Sequence, residues 1–361
     1  MVLILTAGYG EGHNAAARGL HKAFEELGVA SEVVDVFGLV GGDFYQWSRR
    51  AYLELINRAP LIWAGVFKLI DRMPLVPMTM PLMGGMQRAL GRLLDEKKPD
   101  AVVSVYPAYG YFLDRLYPDT RQRPFSFHTI VTDSITVNSV WYRCGSDTFI
   151  VPNPDTARVM RAAGVAGDRL RDLGFPVPPR FAQERAERLP PGEGRPLKVL
   201  FMVNAGKALA PAIVSHLLDL EGVQLTVTVG RDLELQARVQ QAAAGRPVDI
   251  YGWTDKMPEL LMSHHLLIGK AGGAAVQETI AAGTPMLMTH VVPGQEEGNA
   301  RLLVENHCGA VCPTPEQIQS AVGRLMADNG RLWKQWNETV ARLSRPAASF
   351  EIARFVLGEE R

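Results

Sequence analysis

Short apolar runs recur along this chain, each followed by a polar or glycine-bearing loop and then by a stretch with helical period. Val2 to Leu5 is the first such run, and the period predicts a helix from about Asn14 to Leu27, with Ala16, Leu20, Ala23, Phe24 and Leu27 on one face. Gly28 ends that helix, and Glu32 to Val36 reads as the next strand. The pattern returns at Asp100–Val105, Ser126–Val131 and Phe149–Pro152, with a helix from Asp155 to Ala163. It starts again at Lys198–Val203, Gln224–Gly230, Val248–Gly252, Leu266–Ile268 and Met286–Met288. Helices are expected at Pro315–Met326, Leu332–Leu343 and Ser349–Leu357. Continuous apolar strands alternating with helices predict two α/β domains with parallel, buried sheets.

Two stretches break the rhythm. Residues 176–196 carry six prolines and read as an interdomain connection. The expected division is therefore residues 1–176, a linker at 177–196, a second domain at 197–345 and a last helix at 346–361 that returns to the first domain. The other break is residues 44–94. It holds Phe44, Trp47, Leu61, Ile62, Trp63, Leu69 and a Met- and Pro-rich segment, and Pro74, Pro77 and Pro81 prevent one continuous helix.

Composition changes little except in that second break. The 361 residues are 47% hydrophobic and 21% charged, with zero formal net charge, so bulk electrostatics imply no nucleic-acid partner. Residues 44–94, however, hold seven basic side chains, among them Arg49, Arg50, Lys68 and Arg72, against Glu54 and Asp71. Two readings stand: a pair of core helices, or a surface patch that dips into a bilayer while its cations meet anionic headgroups. No apolar run is long enough to span a membrane. Cys144, Cys308 and Cys312 form neither a CxxC nor a disulfide framework, and the expected location is cytoplasmic, peripheral on the inner face of the cell membrane.

The candidate chemistry sits where runs end. Gly269, Gly272 and Gly273 form a turn into a small-residue helix closed by Gly283; such a helix start offers free N–H groups to a phosphate. Glu278 and the pair Gln295 and Glu296 could hold hydroxyls. His13 lies where the first glycine loop meets its helix, a place that disfavours the imidazolium and suits a neutral general base. Asp133, at the end of another strand, is a second acid/base group, an orienter of His13, or a turn residue. Lys207 is a diphosphate contact or a surface lysine. His264 and His265 point in different directions and lack a third ligand, so they read as structural, and no metal site is expected.

Three strings carry a family resemblance. TAGYGEGHNAAA (residues 6–17), Val131-Thr132-Asp133 and PGQEEGN (residues 293–299) resemble the monogalactosyldiacylglycerol synthase and processive diacylglycerol glucosyltransferase family. That resemblance implies a GT-B fold, two Rossmann-like domains whose parallel sheets face across a cleft. It implies an inverting transfer of galactose or glucose from UDP-hexose to the sn-3 hydroxyl of diacylglycerol, with no cofactor or metal and an anionic membrane surface as partner. His13 becomes the catalytic base, or a ligand for an anionic lipid, with Asp133 beside it. Gly10, Gly12 and Trp141, with the basic patch, belong to the acceptor and membrane side. Thr254, Met257, Gly272, Gly273, Ala274, Ala275, Glu278, Gln295, Glu296 and Asn299 fall on the UDP-sugar side. The chain departs from the family pattern at Glu11, Asn138, Asn204, Lys207 and Ala275. An N-acetylglucosaminyltransferase acting on an undecaprenyl-linked precursor, and a non-catalytic lipid- or nucleotide-binding relative, are the alternatives.

Overall fold

The computed structural model describes residues 1–73, 75–184 and 188–359, with Phe44, Asn57, Leu75, Pro81 and Leu82 described by backbone alone. Pro74 and part of the expected linker therefore lie outside the described residues, and the side chains of Phe44 and Pro81 with them. The chain forms two compact units. One comprises Met1–Pro179, Val292–Gly298 and the residues from Ala347 onward; the other comprises Arg180–Val291 and Asn299–Pro346.

The first unit is built on six parallel strands: β1 (Val2–Leu5), β2 (Ser31–Val34), β3 (Ala101–Ser104), β4 (Ser126–Ile130), β5 (Thr148–Val151) and β6 (Leu170–Asp172). Their order is β2-β1-β3-β4-β5-β6. β1 and β3 are buried along their whole length, which is why they read as unbroken apolar runs. From β1 the chain first builds outward to β2, then crosses back to place β3 on the other side. The carboxyl ends of β1 and β3 thus meet at a topological switch point, where open α/β sheets bind ligands. Helix α1 (Glu11–Glu26) starts there and buries Ala16, Ala17, Leu20, Ala23 and Phe24.

The second unit repeats the plan with β7 (Leu197–Met202), β8 (Val223–Thr228), β9 (Asp249–Tyr251), β10 (Leu266–Lys270), β11 (Met286–His290) and β12 (Gly309–Val311). Their order is β12-β11-β10-β7-β8-β9, again all parallel. Its switch point lies between β7 and β10. Val199, Phe201, Leu225, Val227 and Ile268 form the core, closed by Trp333.

The helices expected at 315–326 and 332–343 are both present, separated by non-helical backbone at Ala327–Gly330. One expectation changes. The loop Val292–Gly298, expected in the second domain, groups with the first unit. A Cβ at Gly298 would run into the Ser134 carbonyl, so only glycine allows this approach. The last helix, Ala348–Val356, packs on α1 and ties back through the Ser349 hydroxyl to the Val177 carbonyl. Ile352 and Ala353 are fully buried in that packing.

Residues 36–97 form helices, but not the pair of core helices that was one reading. After α2 (Val36–Val40) come α3 (Gly42–Arg58) and α4 (Pro60–Arg72). α4 buries none of its described residues, and Leu61 is 81% exposed. Trp47, Ile62, Leu69, Met73 and Met78 are also exposed. Arg50, Lys68 and Arg72 lie in solvent around them. No helix among the described residues is long and apolar enough to cross a membrane.

Removal of the Ile352 side chain tests whether the final helix is integral to the first unit. Ile352→Ala leaves a cavity in a closed interface and should cost about 2–5 kcal/mol, read as a lower urea midpoint. An unchanged midpoint would show that the helix is dispensable.

Candidate active site

In the first unit the glycine loop after β1 is held by side chains from residues 35–49. The Gly8 N–H donates to Asp35 Oδ2 at 3.0 Å, and the Tyr45 hydroxyl donates to the same oxygen at 2.7 Å. The Arg49 Nε–H donates to the Gly8 carbonyl at 2.7 Å. Arg49, placed by its sequence in the membrane patch, is therefore half-buried and braces the loop. A Cβ at Gly8 would strike the Tyr45 hydroxyl, whereas one at Gly10 would meet only ordinary contact with His13. Gly10 is the N-cap of α1 in extended backbone, and Gly12 lies in its first turn.

His13 faces inward from that turn. Its Nδ1 lies 2.8 Å from the Val105 carbonyl at the end of β3, and 3.2 Å from the Thr132 hydroxyl. A carbonyl can only accept, so Nδ1 carries the proton and Nε2 keeps its lone pair. Nε2 has no hydrogen-bond partner among the described residues. The ring meets Tyr106 edge-on at 5.1 Å and Trp141 at 5.9 Å. Burial pushes its pKa down to about 4, against the pull of the Val105 carbonyl. The neutral ring expected from the helix terminus is present here, but desolvation is the larger cause.

Asp133 does not orient His13. Its Oδ2 accepts from the Trp141 indole N–H at 2.7 Å, and His13 is oriented by Val105 instead. Burial raises the Asp133 pKa to about 6; the Trp141 bond opposes this and the charge of Glu296 adds to it. Trp141 is buried, so it is at once core, a wall beside His13 and a donor to Asp133. Asn138 is buried too, its amide donating to the Phe67 carbonyl at 2.9 Å, which makes it a brace for α4.

The loop Val292–Gly298 closes this side. The Tyr52 hydroxyl, on α3, donates to Gln295 Oε1 at 3.0 Å. The Gly298 N–H donates to the Thr136 hydroxyl at 3.0 Å. Glu296 is turned into the loop, its Oε2 accepting from the Val292 N–H at 2.9 Å. Tyr52 and Thr136 were not singled out by the sequence. Their partners lie 243 and 162 positions away, beyond any local pattern.

The second unit carries the glycine turn at its own switch point. The Asn204 side-chain oxygen, after β7, accepts from the Lys270 N–H, at the end of β10, at 3.0 Å. Gly272 is the N-cap of the helix Gly273–Ala281, with no side-chain cap among the described residues. The N–H groups of Gly273, Ala274 and Ala275 are thus presented outward with the positive end of the helix dipole. Asn299 is buried and donates to the Ala271 carbonyl at 3.1 Å, fixing the turn; its Oδ1 has no hydrogen-bond partner. Glu278 is half-buried one to two turns along. Gly283, at φ +64°, ends the helix as expected. Lys207 pairs with Asp232 at 2.6 Å. Thr254 accepts from the Lys256 N–H at 3.1 Å and Met257 opens the next helix. Trp253 is exposed beneath the Arg231 guanidinium, 5.2 Å from its centroid. His264 and His265 are held by Thr226, Leu260, Leu189 and the Lys198 N–H, a structural role for both.

A neutral imidazole at one switch point and a helix start with free N–H groups at another, each on a parallel sheet, fit a GT-B glycosyltransferase. The comparisons agree. Residues 13–177 match the family described as monogalactosyldiacylglycerol (MGDG) synthase, and residues 206–344 match the glycosyltransferase family 28 C-terminal domain. The chain resembles monogalactosyldiacylglycerol synthases over nearly its full length. It is 26% identical to the probable monogalactosyldiacylglycerol synthase, chloroplastic, of Glycine max, over 97% of this chain and 70% of that protein. It is 25% identical to monogalactosyldiacylglycerol synthase 1, chloroplastic, of Arabidopsis thaliana, over 97% and 69%. Among solved structures, MurG of Acinetobacter baumannii shares the fold at a TM-score of 0.65 and 15% identity, over 99% of each chain. Os79 of O. sativa does so at 0.65 and 11%, over all of both chains.

The buried imidazoles set a pH dependence. His13, His128 and His265 each have a pKa lowered to about 4 by burial. Their stabilising contribution is complete above the unfolded value near 6.5 and is lost as pH falls toward 4. Asp133, raised to about 6, works in the opposite sense, losing its contribution as pH rises through 6. Three groups outweigh one, so the urea midpoint should fall between pH 7 and 4.5, and His128→Gln should shrink that fall. A midpoint that holds steady or rises on acidification would contradict the burial of these rings.

Proposed function

We propose that the protein is an inverting hexosyltransferase that moves galactose, or glucose, from UDP-hexose to the sn-3 hydroxyl of 1,2-diacylglycerol, forming a β-glycosyl diacylglycerol. The observation that carries this is the bare Nε2 of a neutral His13, held by a backbone carbonyl at the carboxyl end of a parallel sheet. The family resemblance and the names of the relatives favour galactose and a diacylglycerol acceptor.

In this reading the acceptor hydroxyl gives its proton to His13 Nε2 as its oxygen bonds the anomeric carbon. The bond from that carbon to the diphosphate breaks, and UDP leaves with the electron pair. One displacement inverts the configuration. The N–H groups of Gly273, Ala274 and Ala275 meet the developing diphosphate charge, so this reading calls for no metal. Ala275 brings no hydroxyl of its own, which puts the whole load on backbone donors. Glu278 holds the ribose, Thr254 and Met257 the base, and Gln295 the sugar. Asp133, with its raised pKa, is the second proton-carrying group of the pocket. The exposed apolar side chains of α3 and α4, with Arg50, Lys68 and Arg72, dock an anionic membrane, the inner face of the cell membrane in this reading. The acceptor is a lipid, and apolar burial with cationic anchoring is how a protein without a spanning helix reaches it.

The test incubates the purified protein with UDP-galactose or UDP-glucose and vesicles of anionic lipid and diacylglycerol. The expected result is a β-linked monohexosyl diacylglycerol, formed equally well with a chelator present. His13→Ala should lower turnover by about 10²–10⁴ while UDP binds as before. No glycolipid from either donor, or full turnover without His13, would sink the proposal.

A further inference from the structure

The loop Val292–Gly298 follows directly on the second sheet in the chain, yet its side-chain partners lie in the first unit. Gln295 is held by Tyr52, Gly298 by Thr136, and Gly294 sits over the Phe67 ring, which a Cβ there would crowd at 3.0 Å. Tyr52 and Phe67 are on α3 and α4, the two helices that expose Trp47, Leu61 and Ile62 on their outer side. One pair of helices therefore carries both the apolar surface and the clamp on this loop.

The Tyr52–Gln295 bond is directional. Burial raises the Tyr52 pKa to about 12, with the nearby charges of Asp133 and Glu296 adding to the rise, so the phenol is protonated throughout the working range. Its ring is fixed, packed edge-on against Trp63 at 5.2 Å and Tyr9 at 6.2 Å. The hydroxyl donates to Gln295 Oε1 at 3.0 Å, so the carbonyl oxygen is occupied and the amide N–H₂ is turned to the other side. A primary amide left free could flip and offer either end to a sugar hydroxyl. The neighbouring Glu296 has its Oε2 engaged by the Val292 N–H.

We infer that Tyr52 is a positioning residue for the donor sugar: by occupying the carbonyl end of Gln295 it presents the amide N–H₂ as a donor to a hydroxyl of the UDP-linked hexose. The inference rests on the proposal that Gln295 touches that hexose. It assigns part of the donor-sugar recognition to α3.

Tyr52→Phe keeps the ring and removes only the donor. With Gln295→Ala and the double variant, it is assayed for KM and kcat with UDP-hexose on diacylglycerol vesicles. UDP alone is titrated by calorimetry, and the urea midpoint is recorded. Tyr52→Phe should raise KM for UDP-hexose about three- to tenfold, the loss of one positioning hydrogen bond, with kcat nearly unchanged. UDP affinity and the urea midpoint should not move, and the double variant should be no worse than Gln295→Ala. If Gln295→Ala raises KM but Tyr52→Phe does not, or if the two effects add, Tyr52 does not act through Gln295. A Tyr52→Phe variant that weakens UDP binding or lowers the midpoint has a structural role only. If Gln295→Ala itself leaves KM unchanged, the sugar contact fails, and the role of Tyr52 fails with it.

Discussion

The bond from His13 Nδ1 to the Val105 carbonyl is the contact on which the chemistry depends. It fixes the ring's tautomer, and therefore which nitrogen can take a proton. It also joins the carboxyl ends of β1 and β3, because His13 opens the helix after one and Val105 ends the other. A backbone carbonyl is a durable partner: it cannot change protonation state, and the sheet register holds it in place. Desolvation then keeps the ring neutral. Basicity is reduced as a result, so in the proposed reaction the proton moves to His13 only as the acceptor oxygen becomes bonded to carbon.

The same economy appears in the second unit. Asn204 and Asn299 use their amides on the Lys270 N–H and the Ala271 carbonyl, which holds the glycine turn open at its switch point. These two asparagines are thus spent on backbone. The N–H groups of residues 273–275 are left for a ligand. Each sheet places its functional loop where its strand order reverses, for the same topological reason.

Much of this was legible in the sequence, and the legible part has a common physical character. Strands buried on both faces announce themselves as apolar runs. Gly283 at φ +64° marked a helix end, and His13 at a glycine loop marked a neutral imidazole. What could not be read was set by partners far along the chain. Val105 contributes a carbonyl, which no side-chain pattern reports. Gly8 must be glycine because of Tyr45, not because of any motif. Arg49 reads as one more cation in a basic stretch until its bond to the Gly8 carbonyl is seen. Asp133 lay near enough to suggest an orienter, but Trp141 holds it. Residues 292–298 looked like part of the domain they follow, and only the tertiary contacts of Tyr52 and Thr136 place them in the other unit. The basic, apolar stretch left two readings in sequence: Tyr45, Ile56 and Met80 are core, whereas α4 buries none of its described residues.

The most direct test of the central claim is the protonation pattern of the His13 ring, read by nitrogen-15 NMR on histidine-labelled protein at pH 7, with His13→Gln to assign the signal. The account predicts a neutral ring with the proton on Nδ1 and a bare Nε2, which stays so down to about pH 5. A proton on Nε2, or a ring that titrates near 6.5, would contradict it.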